Sequence, residues 1–171
     1  MVIVNSGSTD GGVEQVIGHN ITGQGTNTFT FGSSGSRVHN TFTSNASWTR
    51  NSDLRLKKNI KDSNLGLDFI NNLRPVTYNW KASQDVDPSF KNNYDANKNN
   101  MDTKVTMNGL IAQEVKEALL DSGVSETDIN NYGVWEEDKY GVQHISREMF
   151  VIPLIKAIKE LTARVKELED K

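Results

Sequence analysis

The chain has no cysteine among its 171 residues, which excludes a disulfide framework, a thiolate metal site and a cysteine nucleophile. Long hydrophobic runs are also missing. The most apolar stretch is seven residues long and contains Pro153, so no transmembrane helix is expected. The N-terminus has no basic region followed by an apolar run, so the sequence predicts no signal peptide.

Several chemical signatures are absent as well. No HExxH, EF-hand or P-loop motif occurs, and His19, His39 and His144 are widely separated, so we expect no metal and no cofactor. The 19 basic residues are outnumbered by 22 acidic ones, and the net charge of −3 disfavours a nucleic-acid partner. Neither a membrane nor a nucleic acid is therefore an expected partner.

Charge is scarce in the first 50 residues, which hold only Asp10, Glu14, Arg37 and Arg50. Glycine, serine, threonine and asparagine supply 28 of these 50 residues, and proline is absent. Short apolar pieces alternate with glycines, and the sequence NTFT at residues 27–30 recurs at residues 40–43. This pattern predicts the short strands of a β-stalk, which bury their faces against neighbouring rungs or chains. Composition alone leaves a flexible linker as the alternative.

The rest of the chain predicts an α+β domain, with the boundary between residues 1–51 and 52–171. A helix is expected over Leu65–Leu73, capped by Ser63 or Asn64 and ended by Pro75. Further patterns predict a strand at 76–80, a polar surface insertion at 83–104, a helix at 110–119 and a hairpin turning at 140–141.

The last 25 residues have the clearest periodicity. Apolar residues follow alternating spacings of three and four, which are typical of a coiled-coil seam over about 151–169. The seam residues are Val151, Leu154, Ile158, Leu161, Val165 and Leu168. An amphipathic helix packed on the core of its own chain is the alternative.

A basic segment, SDLRLKKNI, lies at residues 52–60, where the composition changes. A serine and a lysine five residues apart carry little information alone, and a basic cluster is usually a solvated surface. Three further pieces follow in order: residues 66–80 with LRPVTYNW, GLIAQEV at residues 109–115, and IKAIKEL at residues 155–161. Together the four pieces resemble the C-terminal intramolecular chaperone domain of phage tail spikes, tail fibres, neck appendages and endosialidases.

The resemblance implies a self-cleaving chaperone domain that ends in a long trimeric coiled-coil helix and follows a β-rich trimeric stalk. It implies that Ser52 is the nucleophile, that Lys57 is its base, and that the chain is cut between Asn51 and Ser52. The enzyme would be a single-turnover serine peptidase. The implied partners are two further copies of the chain and its own upstream stalk. The stalk would reside in the virion tail or appendage, and the chaperone domain in the host cytoplasm during assembly.

The implied chemistry requires an uncharged lysine, because a hydroxyl is a poor nucleophile without a base. Burial and nearby positive charge favour the uncharged form of an amine, and Arg55 and Lys58 bring such charge. We expect Asp53 to hold the geometry of the loop and not to contact the Lys57 amine. Lys58 is the alternative base.

Two other functions stay open from the sequence. One is a non-cleaving trimerisation or interaction module at the end of a receptor-binding fibre. The other is a receptor-binding or carbohydrate-degrading fragment, which the sequence disfavours because Asp10 and Glu14 are the only carboxylates of residues 1–50.

Overall fold

The computed structural model describes residues 2–7 and 13–171. The chain divides into two compact units, residues 1–60 and residues 61–171. Asp10, one of the two carboxylates considered for carbohydrate chemistry, lies outside the described residues.

The first unit contains one five-stranded sheet with the strand order β1-β2-β3-β4-β5. All neighbouring strands are antiparallel except β2 and β3, which run parallel. The strands are β1 (Val2–Gly7), β2 (Val13–His19), β3 (Thr28–Ser33), β4 (Ser36–Thr41) and β5 (Thr49–Arg50). Strand pairing thus runs through the described part of residues 1–50, whereas a flexible linker would have none.

Aromatic packing covers part of this sheet. Phe29 and Phe31 of β3 lie 5.8 and 4.9 Å from the ring of Trp48, measured between ring centroids. Trp48 therefore packs against the sheet, and it joins the loop before β5 to the centre of the unit.

The second unit is mixed α and β, and its core lies between three helices and a hairpin. Its elements are α1 (Leu67–Asn71), β6 (Val76–Tyr78), β7 (Met107–Gly109), α2 (Ala112–Asp121), β8 (Trp135–Glu137), β9 (Gln143–Ile145) and α3 (Val151–Glu169). β6 pairs with β7, and β8 pairs with β9, both antiparallel. The core is built from Leu65, Phe69, Val115, Leu119, Ile129, Val134, Trp135 and Phe150. Residues 83–104 are a mostly exposed loop between β6 and β7.

The predicted cap of α1 is wrong. Neither Ser63 nor Asn64 caps the helix, which begins at Leu67. The Oε2 atom of Glu160 accepts a hydrogen bond of 2.7 Å from the Leu67 backbone N–H, so the cap comes from α3. Gly66 makes this approach feasible, because a Cβ there would lie 2.4 Å from the same oxygen. A cap supplied from 93 residues away leaves no local sequence signal.

The helix α3 has two faces. Pro153 and Ala157 are buried against the rest of the unit. The Nη2 atom of Arg164 lies 3.9 Å from the Oδ1 atom of Asp68 in α1. The six seam residues keep between 44% and 70% of their surface exposed. The seam is therefore not packed on the core of its own chain. Among the described residues, no helix combines the length and the apolar character needed to span a membrane.

Glu160 gives a testable consequence of this fold. The Leu67 backbone N–H and the Lys156 side chain hold the pKa of its carboxyl below the ordinary value of 4.5. A carboxylate with a lowered pKa stabilises the folded state above its unfolded pKa, and this contribution is lost as the pH falls through the folded pKa. We expect Glu160→Gln to lower the hydrogen-exchange protection of residues 67–71 at pH 7. Wild type should lose protection of these residues below pH 4.5, and most of this acid-induced loss should be absent in Glu160→Gln.

The matched control is Glu167→Gln, which changes an exposed carboxylate of the same helix. Protection is compared after correction for the intrinsic exchange rate at each pH. Wild-type protection in Glu160→Gln would show that the carboxylate does not hold α1.

Candidate active site

Residues 51–57 form a short turn where the chain leaves the sheet after β5. Leu54–Leu56 make a single 3-10 turn, in which the Leu56 N–H donates to the Asp53 carbonyl and the Lys57 N–H donates to the Leu54 carbonyl. The turn reverses the chain, and the Nζ atom of Lys57 donates a hydrogen bond of 2.8 Å to the Oγ atom of Ser52. This distance lies within the range for direct proton transfer between a nucleophile and a base.

Asp53 holds the turn. Its Oδ1 atom accepts a hydrogen bond of 2.8 Å from the Arg55 backbone N–H, which is the usual cap of a helical start. The Arg55 guanidinium donates to both carboxylate oxygens, at 3.0 and 2.7 Å. No bond joins Asp53 to the Lys57 amine among the described residues, and the carboxylate stabilises backbone geometry.

The charges of Asp53 and Arg55 are coupled. Hydrogen bonds from the Arg55 side chain and then from its backbone N–H lower the pKa of the Asp53 carboxyl. The same contact raises the pKa of the Arg55 guanidinium. Much of the Arg55 charge is therefore compensated locally, which weakens the sequence-based expectation that Arg55 acts on Lys57.

Lys58 has a different environment. It is exposed and has no hydrogen bond or ion pair within residues 2–7 and 13–171. The structure thus brings Lys57, and not Lys58, to the Ser52 hydroxyl.

The site is open to water in the single chain. Ser52 and Lys57 are both exposed. The apolar side chains of Leu54, Leu56 and Ile60 also keep 70%, 68% and 63% of their surface exposed. The serine–lysine pair therefore lies beside apolar side chains that the described part of the chain leaves exposed.

A cleft of about 320 Å³ lies beside the expected scissile bond. Arg37, Arg50, Asn51 and Leu56 line it, together with the backbone of the β3–β4 turn. Arg37 carries no sequence signal of a site residue, because only the pairing of β4 with β5 brings it near Asn51. The seam residues lie on α3, which belongs to the unit of residues 61–171.

No group of three or more metal-ligating side chains occurs within the described ranges. The site is therefore described by its serine, its lysine and the groups that hold them.

Residues 52–124 match the sequence model of the family described as chaperone of endosialidase, whose family name is peptidase S74. Residues 52–124 are thus similar to a chaperone-of-endosialidase domain. The match confirms the resemblance of the sequence to the C-terminal intramolecular chaperones of phage tail spikes, and it supports a chaperone role. The chaperone-of-endosialidase match begins at Ser52, the residue that follows the expected cut. No curated protein and no solved structure matches the chain significantly.

The Asp53 cap generates a prediction about the serine–lysine pair. Asp53→Ala removes both the cap and the ion pair, and we expect it to slow cleavage at Asn51–Ser52 by about tenfold, because the turn no longer fixes Lys57. Asp53→Asn keeps an oxygen for the Arg55 N–H, and we expect it to cleave within about threefold of wild type.

The comparison uses time courses of precursor loss on denaturing gels. Asp62→Ala, at an exposed carboxylate outside the turn, is the control and should cleave as wild type does. Equal rates for Asp53→Ala and Asp62→Ala would contradict a role for the cap.

Proposed function

We propose that the chain is an intramolecular chaperone that trimerises a phage tail spike, fibre or neck appendage and then releases itself by cutting between Asn51 and Ser52. The observation that carries the proposal is the 2.8 Å contact of Lys57 Nζ with Ser52 Oγ, at the first residue of the family match. Residues 1–51 would be the distal end of the stalk. The stalk would remain in the virion, and the chaperone domain would act in the host cytoplasm.

The contact of Lys57 with Ser52 supports the following cleavage reaction. The uncharged Lys57 amine takes the proton of the Ser52 hydroxyl while Oγ attacks the Asn51 carbonyl carbon. The carbon–nitrogen bond then breaks, and the Lys57 ammonium returns the proton to the Ser52 nitrogen. Water hydrolyses the resulting ester and leaves a carboxylate on Asn51 and a free amine on Ser52. No co-reactant besides water is needed.

Trimerisation is supported by the exposed seam of α3. Six apolar side chains at heptad spacing remain in water in the single chain, which is unfavourable unless neighbouring copies cover them. Leu54 and Leu56 beside the dyad are further exposed apolar side chains, and contact with another surface would exclude water from the dyad. Burial favours the uncharged form of an amine, so assembly would activate the base.

A chaperone of this kind answers a folding problem of the stalk. Pairing between chains is non-local and slow, and unpaired strand edges are exposed in the meantime. A domain that trimerises first fixes the register and raises the local concentration of the three stalk ends. Once the stalk is folded, a high unfolding barrier can hold it without the chaperone.

The first experiment is the intact mass of freshly expressed protein under denaturing conditions. We expect wild type to yield fragments of residues 1–51 and 52–171. Ser52→Ala and Lys57→Ala should stay whole, since loss of the nucleophile or base lowers the rate by about 10²-fold or more. Lys58→Ala is the matched control and should be cut.

Other outcomes have definite meanings. A cut that persists in Lys57→Ala would move the base to Lys58 or elsewhere. A whole chain for wild type would remove the peptidase and leave a non-cleaving trimerisation module.

A second experiment tests the seam in the uncleavable Ser52→Ala background. Sedimentation equilibrium should give three times the chain mass of 19.1 kDa. Ile158→Asp and Leu161→Asp place charges in the seam, and we expect them to yield monomers. Lys159→Asp is the control. It changes the charge by more than either seam variant does, but at an exposed outer position, so this variant should remain trimeric.

The same seam changes in the cleavable chain should reduce cutting at Asn51–Ser52 if assembly activates the site. A monomeric Ser52→Ala protein, or a trimeric Ile158→Asp variant, would contradict the assigned interface.

A further inference from the structure

Arg37 lies on the strand beside the expected scissile bond. β4 and β5 pair in antiparallel register, with Val38 opposite Arg50 and His39 opposite Thr49. Continuing this register by one residue sets Arg37 opposite Asn51. Opposed residues in such a pair have Cβ atoms about 4.5–5.5 Å apart, and their side chains share one face. The register of the sheet therefore places Arg37 next to the residue whose carbonyl would be attacked.

The cleft joins these groups in one space. Arg37, Arg50 and Asn51 line the same cavity of about 320 Å³, with Leu56 of the catalytic turn at its edge. None of the described residues that line it is acidic. A guanidinium such as that of Arg37, with no counter-charge in the described lining, favours a negative charge in the cleft.

Arg37 also has an unused donor. Its Nε atom is buried and has no hydrogen-bond partner among the residues that the structure describes. A buried N–H without an acceptor is costly, so a state that supplies an acceptor there is favoured. The guanidinium carries five N–H donors and keeps its charge at all relevant pH values.

Arg50 is a weaker candidate for the same task. It is exposed, and its Nη2 atom donates a long hydrogen bond of 3.5 Å to the Ser36 hydroxyl. In the strand register Arg50 is opposed to Val38, whereas the continued register sets Arg37 opposite Asn51.

We propose that Arg37 is a catalytic residue of the self-cleavage, and that its guanidinium stabilises the oxyanion formed on the Asn51 carbonyl when Ser52 attacks. The inference rests on the proposed function. It adds a hydrogen-bond donor for the oxyanion, which the pair of Ser52 and Lys57 does not supply. As Oγ bonds to the carbonyl carbon, the carbonyl electron pair moves to oxygen, and Arg37 donates to that oxygen. The charge is released when the carbon–nitrogen bond breaks and the ester carbonyl re-forms.

The placement has a consequence for assembly. The nucleophile and the base come from the family segment, whereas Arg37 comes from the sheet. The oxyanion site is complete only when β5 is paired with β4. Cleavage would thus require that the end of the stalk has folded.

The test measures the first-order rate of precursor loss after translation is stopped, for Arg37→Gln, Arg37→Lys and the matched control Arg50→Gln. Removal of one oxyanion donor lowers rates by about 10²–10³-fold, and we expect this loss for Arg37→Gln. Arg37→Lys should recover part of the rate, and Arg50→Gln should stay within about threefold of wild type. The pH midpoint of the rate should be unchanged in Arg37→Gln, because the base is intact.

Trimer mass and circular dichroism are measured in parallel in the Ser52→Ala background. A normal trimer with a slow Arg37→Gln rate supports the proposal. An Arg37→Gln rate near that of wild type would overturn the proposal. So would a shifted pH midpoint with an unchanged plateau. So would an Arg37→Gln protein that no longer forms the trimer while Arg37→Lys does form it. If wild type and Ser52→Ala are equally uncut, the proposed function fails as well. If wild type is cut, Ser52→Ala is whole and Arg37→Gln is cut at full rate, only the role of Arg37 fails.

Discussion

The hydrogen bonds of the Asp53 carboxylate with Arg55 are the contacts on which the candidate site depends. They hold a single 3-10 turn between Ser52 and Lys57, which are five residues apart. This turn brings the Lys57 Nζ atom to 2.8 Å from the Ser52 Oγ atom. A longer helix would carry the lysine away from the serine, and an extended chain would hold them too far apart. The carboxylate acts through backbone geometry, and its charge is compensated by Arg55.

The helix α3 has one face that packs in its own unit and another, the seam, that remains exposed. Its buried face, at Pro153 and Ala157, belongs to the unit, and the Glu160 carboxylate on the same side caps α1. The seam face remains exposed. Association through the seam therefore does not compete with the contacts that fold the single chain. A helix that buried the seam in its own core would have to unpack before it met another copy, which would slow assembly.

Local patterns gave reliable predictions, and contacts distant in sequence did not. The β8–β9 hairpin, the helix α2 and the strand β6 were all predicted because periodicity and turn residues are local signals. The cap of α1 was wrongly assigned, since Glu160 lies 93 residues away. The serine–lysine pair was named through the family resemblance, because its spacing alone carries little information. Arg37 was missed, since only the register of β4 and β5 connects it with Asn51.

Exposure of the dyad in the single chain fits the order of events that a releasable chaperone needs. A site that was complete and dry in one chain would cut before assembly, and the stalk would lose its chaperone while still unpaired. Leu54 and Leu56 are exposed beside the lysine, so water surrounds the site until another surface covers them. Burial there favours both the uncharged amine and stronger electrostatic stabilisation of an oxyanion. In the proposed order of events, hydrolysis of the bond would be the last step, and it would make the assembled state permanent because the bond would not re-form.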